Sequence, residues 1–291
     1  MVTYSNEEGR EKKRMIIDCH THIWEFPKHL DINYIRDQER RRGDVEWMKI
    51  TIDKYLKDMD VVDKAFVIGL NTRLIKVPND YIAKIVDLDP KKFIGFGGIN
   101  PLDDNAVEEI EHCICELGLY GIKLHPAQQG FFVNDRKIYP IYEKCEELGI
   151  PVMIHLGAGF SRYTPLKYSI PMLLEDVLID FPDLKIIIAH LGRPWEHETC
   201  SLLRKYPNAF ADISILFSTP FRLYNDLIFA IEFKVDNKLF FGSDYPFAKP
   251  NNCLKVLKDI NKYAEGTGLP KIPQTTIEKI LDENIRRVMK I

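Results

Sequence analysis

Eight short apolar segments recur along the chain, and their spacing limits the folds open to it. They are MIIDCHTH from Met15, KAFVIGL from Lys64, FIGFGGIN from Phe93, GIKLHP from Gly121, PVMIHLG from Pro151, KIIIAHLG from Lys185, FADIS from Phe210 and LFFGSDYP from Leu239. Continuous apolar runs of this length suit strands covered on both faces, as in parallel sheets. The gaps between them carry helical periodicity. Val107, Ile110, Ile114 and Leu117 recur at spacings of three and four, as do Ile138, Ile141, Tyr142, Cys145 and Leu148 ahead of Gly149. Leu173, Leu174, Val177 and Leu178 mark a further helix, and Ile277, Ile280, Leu281, Ile285 and Val288 a last one. Strand and helix in alternation predict an α/β fold, a (β/α)8 TIM barrel. A doubly wound sheet is the alternative, because a count of strands does not close a barrel. The first gap is the widest and predicts a long loop insertion after strand 1, between Trp24 and Ile50. It contains the run Arg40-Arg41-Arg42. Such a run usually reads as solvated surface; in a barrel this segment would also rim the mouth of the active site. Residues 1–14 read as a loose arm and 15–291 as a single barrel domain.

Composition removes other classes. Forty basic residues against 43 acidic ones leave a charge of −3, which gives no general electrostatic reason to bind nucleic acid or an anionic membrane. No apolar run approaches the roughly 20 residues needed to span a bilayer. The polar amino terminus does not read as a signal peptide. Six cysteines without a CxxC pair predict reduced thiols and a cytoplasmic protein.

The eight histidines are informative by position. Barrel chemistry sits at the carboxyl ends of the strands. His20 and His22 end strand 1, His125 strand 4, His155 strand 5 and His190 strand 6, while Asp244 ends strand 8. Residues two apart on a strand share a face, so His20 and His22 face the same side. Neutral imidazoles converging with a carboxylate suit a divalent metal such as zinc, iron, manganese or cobalt. A lone His-x-His carries little weight; four such residues at equivalent strand ends carry much more. His29, His112 and His197 receive no role.

These motifs resemble the amidohydrolase superfamily, in the amidohydrolase-2 branch that also contains aminocarboxymuconate-semialdehyde decarboxylase. The matching stretches are DCHTH (Asp18 to His22), GIKLHP (Gly121 to Pro126), VMIHLG (Val152 to Gly157), IIAHLG (Ile187 to Gly192), FGSDYPF (Phe241 to Phe247) and the closing ENIRRVM (Glu283 to Met289). The resemblance implies a distorted barrel holding one divalent ion, zinc by first expectation. His20, His22, His155 and Asp244 would bind it. Asp244 would also accept a proton, and His190 would polarise the substrate or hold the nucleophilic water. Lys123 and His125 share a face of strand 4 and would serve a second metal, less expected than one, or the substrate. Related two-metal enzymes use a carboxylated lysine on this strand. The resemblance also brings a homodimer into view.

The first functional expectation is a metal-dependent hydrolase of a small molecule, cleaving an amide, lactone or related bond with metal-activated water. The alternative is a metal-dependent decarboxylase, a lyase using the same ligands. Cationic side chains would then flank the pocket, and Arg162, Arg193 and Trp195 are the candidates after strands 5 and 6. A non-catalytic barrel scaffold is the remote third reading.

Overall fold

The computed structural model describes residues 15–291, so the expected arm at 1–14 lies outside the described residues. Eight strands form one parallel sheet in chain order: β1 (Ile17–Thr21), β2 (Lys64–Ile68), β3 (Phe93–Gly98), β4 (Gly121–Leu124), β5 (Val152–Ile154), β6 (Ile186–Ile188), β7 (Ala209–Asp212) and β8 (Leu239–Phe240). Each pairs with the next in parallel register, such as Ile122 with Val152 and Ile186 with Ala209. β8 is only two residues long, and the sheet closes beyond it through single backbone bonds. Cys19 N–H donates to Phe241 O (2.9 Å), Asp244 N–H to His20 O (2.8 Å) and His22 N–H to Tyr245 O (2.7 Å). The fold is therefore a (β/α)8 barrel, and the doubly wound alternative falls because strand 1 meets the chain after strand 8.

Alternation divides the strand side chains into two shells. Ala65, Val67, Ile122, Leu124, Val152, Ile154 and Ile186 point outward into the layer of surrounding helices. Ile17, Cys19, Phe66, Ile68, Phe96, Met153, Ile187, Phe210 and Phe240 fill the barrel interior. Ile285, Val288 and Met289 of the closing helix (Asn284–Met289) pack against this inner set. Tyr120 Oη donates to the Met289 carbonyl and fastens that helix under the barrel.

The insertion after β1 is more ordered than a loop. It contains a helix, Ile32–Arg42, whose Asp31 cap accepts from Asn33 N–H at 2.8 Å. Gly43 stops it with φ 86°, the left-handed conformation glycine adopts without a Cβ penalty. Three arginines in the last turn favour the negative end of the helix dipole. Tyr34, Ile35 and Gln38 are buried, so the helix lies against the barrel. Of the basic run, Arg40 is exposed and pairs with Asp37 at 3.0 Å, but Arg41 and Arg42 line the central cavity. Arg42 is exposed as well, so the solvated-surface reading holds for the first and third of the three, while Arg41 is half-buried.

Candidate metal centre and its cavity

A bulge in β1 aims the site. Ile17 pairs with Lys64 and Asp18 with Ala65, but Thr21 pairs with Val67, so β1 spends one residue more than β2 over this stretch. Cys19 packs into the inner core and its immediate neighbour His20 also faces inward, followed by His22. The bulge is held by Asp18, whose Oδ1 accepts from His20 N–H (3.1 Å) and from Ser243 N–H (2.9 Å). Burial raises the Asp18 carboxyl to about 7. Gly242 makes room for the result: a Cβ there would lie 2.9 Å from Cβ of His20.

The inward side chains surround a cavity of about 530 Å³ at the carboxyl ends of the strands. His20, His22, Lys123, His125, His155, His190 and Asp244 all line it. His125 and His155 stack, with ring centroids 3.9 Å apart, and His20 stacks on His190 at 4.9 Å. His190 and Asp244 both hold left-handed backbone, φ 59° in each, an uncommon conformation for residues with a Cβ. His190 N–H donates to Asp212 Oδ1 at 3.0 Å and Asp244 N–H to His20 O at 2.8 Å, which fixes both turns.

Hydrogen bonds behind the rings decide which nitrogens face the cavity. His22 Nδ1–H donates to the Ile68 carbonyl at 2.8 Å, and His20 Nδ1–H to Asp212 Oδ2 at 2.9 Å. Each therefore turns an Nε2 lone pair inward, an arrangement that orients metal-binding imidazoles. These Nε2 atoms lie 3.6 and 3.5 Å from Asp244 Oδ1. That is long for a hydrogen bond. It matches the roughly 3.4 Å between neighbouring tetrahedral ligands whose bonds to zinc are about 2.1 Å. His155 Nε2 is buried without a hydrogen-bond partner among the described residues. Burial holds His20 and His190 well below the ordinary imidazole range and His155 at about 3, so the rings are neutral and able to coordinate. The residues present thus fit a divalent cation. Ligand atoms of His20, His190 and Asp244 also come within 4.8 Å of one another, so His190 stands beside the donors and not behind them. Lys123 Nζ, lowered by burial to about 8, lies 3.3 Å from His20 Nε2 and reaches the same point.

Other candidates fall elsewhere. Arg162 is exposed, Trp195 is half-buried, and neither lines the cavity. Arg193 is likewise absent from the lining. Its guanidinium sits 5.5 Å from the Phe160 ring, matched by Arg41 at 5.5 Å from the same ring at the mouth. Sequence reasoning passed over Asp212 and Ser214, two apart at the end of β7 and fully buried. The signal was there in the FADIS segment, a carboxylate ending an apolar run.

A sequence model of the family described as Amidohydrolase matches residues 17–291. A 2-amino-3-carboxymuconate-6-semialdehyde decarboxylase of Dictyostelium discoideum is 26% identical over 299 aligned positions, covering 86% of this chain and 77% of that protein. A 2-keto-4-carboxy-3-hexenedioate hydratase of Sphingobium is 29% identical, covering 61% and 65%. Among solved structures, an uncharacterised TIM-barrel protein from Bordetella bronchiseptica superposes with a TM-score of 0.72 at 25% identity, covering 94% of this chain and 98% of that one.

Proposed function

The chain belongs to the amidohydrolase family, and from that premise we propose that it is a metal-dependent decarboxylase of a small carboxylated substrate. The observation that carries the reading is the pair Arg41 and Arg42, brought by the inserted helix onto the rim of the same cavity as His20, His22 and Asp244. Guanidinium groups are matched to carboxylates in charge and fork geometry. Hydrolysis, the first expectation, explains neither arginine and gives way as the preferred reading. The decarboxylase relative adds support. The same reading assigns the metal to His20, His22, His155 and Asp244, with zinc or manganese as the ion. It also takes residues 15–291 as one domain, and a cytoplasmic setting in which the six free cysteines stay reduced.

A bound divalent cation supplies a Lewis acid that holds and polarises substrate oxygen. The chain's own groups do the rest. Arg41 and Arg42 orient the substrate by its carboxylate. The bond from carbon to that carboxylate breaks, carbon dioxide leaves, and the electron pair left on carbon takes a proton. Asp244, whose carboxyl is raised by burial, holds that proton beside the substrate. His190, kept neutral by burial, stands beside Asp244 and, hydrogen-bonded to Ser214 and His155, holds that wall of the cavity in place. Walls formed by Tyr34, Leu70, Ile75 and Phe217 exclude water from the reacting carbon.

A panel of carboxylated aromatic and unsaturated acids, offered to the zinc- or manganese-loaded protein, tests this. Carbon dioxide release is the expected outcome, with Arg41→Ala and Arg42→Ala each weakening kcat/KM by about 10-fold or more, the worth of one charge-assisted hydrogen bond. Addition of water to the substrate without release of carbon dioxide would replace the proposal with the hydratase chemistry of the Sphingobium relative.

A further inference from the structure

Asp212 and Ser214 are not part of the cavity lining, yet they lie directly behind it and join three of its four stacked imidazoles. Asp212 Oδ2 accepts from His20 Nδ1–H at 2.9 Å. Its Oδ1 accepts from the backbone N–H groups of His190 and Ser214, each at 3.0 Å, and from the Ser214 hydroxyl. Ser214 Oγ is also 2.7 Å from His190 Nδ1, and His190 Nε2 is 3.2 Å from His155 Nδ1. This run of hydrogen bonds ends at His155 Nε2, buried and without a partner among the described residues.

A hydroxyl has one proton and a neutral imidazole has one N–H. We propose that Ser214 is a positioning residue that sets the proton register of this cluster. Its only proton goes to the Asp212 carboxylate, the stronger acceptor. Ser214 Oγ must then accept, so His190 carries hydrogen on Nδ1. His190 Nε2 accepts in turn, so His155 carries hydrogen on Nδ1 and turns a bare Nε2 lone pair into the cavity. The reverse register starts with Ser214 donating to His190. It would take from the Asp212 carboxylate its hydroxyl donor, leaving the two backbone N–H groups and His20, and would put a buried N–H with nothing to receive it on His155 Nε2 in place of a lone pair. One serine just past β7 thereby gives His155 the same inward lone pair that Asp212 gives His20. The use of those lone pairs by a cation rests on the metal-centre reading; the register itself does not.

The test is two-bond nitrogen–proton NMR on the metal-free, full-length chain labelled with ¹⁵N-histidine. His20, His155 and His190 are expected as Nδ1–H tautomers. Ser214→Ala should abolish the single pattern at His155 and His190 and weaken zinc binding by about 10–100-fold; Ser214→Thr, which keeps the hydroxyl, should restore both. His155 protonated on Nε2 in the wild type would overturn the proposal, as would a Ser214→Ala protein with the wild-type pattern. The wild-type spectrum decides even if the alanine variant fails to fold. The predicted pattern without zinc affinity would sustain the register and defeat the metal-centre reading.

Discussion

A methyl group added at Gly242 would press on Cβ of His20 at 2.9 Å and on Cβ of Ser214 at 3.3 Å. Both neighbours are anchored by Asp212 and neither has a free direction in which to yield. Gly242→Ala should therefore cost stability by roughly 1–3 kcal/mol, as overpacking does. It should also weaken zinc binding by about 10-fold, the low end for disturbing a ligand's support. A chelator-competition titration alongside thermal melts checks both; an unchanged zinc affinity would show that His20 is free to move. At this scale the sequence speaks unevenly. His20 and His22 are legible because a two-residue spacing keeps them on one face wherever the strand goes. Arg41 and Arg42 are not, since their place depends on how an inserted helix folds back over the mouth. Ser214 is not either, because its importance lies in who competes for one hydroxyl proton, which only contacts between strands can decide.

Helices around the barrel contribute a titration of their own. The helices Glu196–Lys205 and Pro220–Glu232 meet around Arg222, which donates to Glu196 Oε2 at 2.6 Å and stands 4.0 Å from Asp226 Oδ2. One oxygen of each carboxylate, Glu196 Oε1 and Asp226 Oδ2, is buried with no hydrogen-bond partner among the described residues. Burial first, and then the neighbouring Glu196, raise Asp226 to about 7 against the opposing pull of Arg222 and Arg193. A carboxyl raised on folding binds its proton more tightly in the native state than in the unfolded one. Its contribution is thus fully present below about pH 4 and is lost as pH climbs through 7. Asp226→Asn should flatten the fall in Tm between pH 5 and 8 and melt above the wild type at pH 8. Parallel slopes for the two proteins would show that Asp226 ionises without strain. Strand and helix positions were readable from runs and periodicity, including the helix now seen at Tyr139–Glu147. The β1 bulge was not, because an extra residue appears only against the partner strand.

For the molecule as a whole, a ligand that binds only the folded chain stabilises it by mass action. Zinc at a hundred times its Kd should add about 2.7 kcal/mol and raise Tm by roughly 5 °C, an increment that a chelator should remove. Differential scanning fluorimetry with and without chelator reads it directly; no shift at saturating zinc would speak against a folded-state metal centre. Eight runs at regular intervals made the barrel an expectation, but closure depended on three backbone bonds between β1 and the chain after β8, which no strand count contains. Ile285, Val288 and Met289 beneath the inner core, with Tyr120 tied to the Met289 carbonyl, have a consequence for traffic. Among the described residues they act as a stopper in the amino-terminal end, and the rim with Arg41, Phe160 and Arg42 is the doorway. Reactant and product use that doorway in turn, so each product has to depart before the next reactant enters.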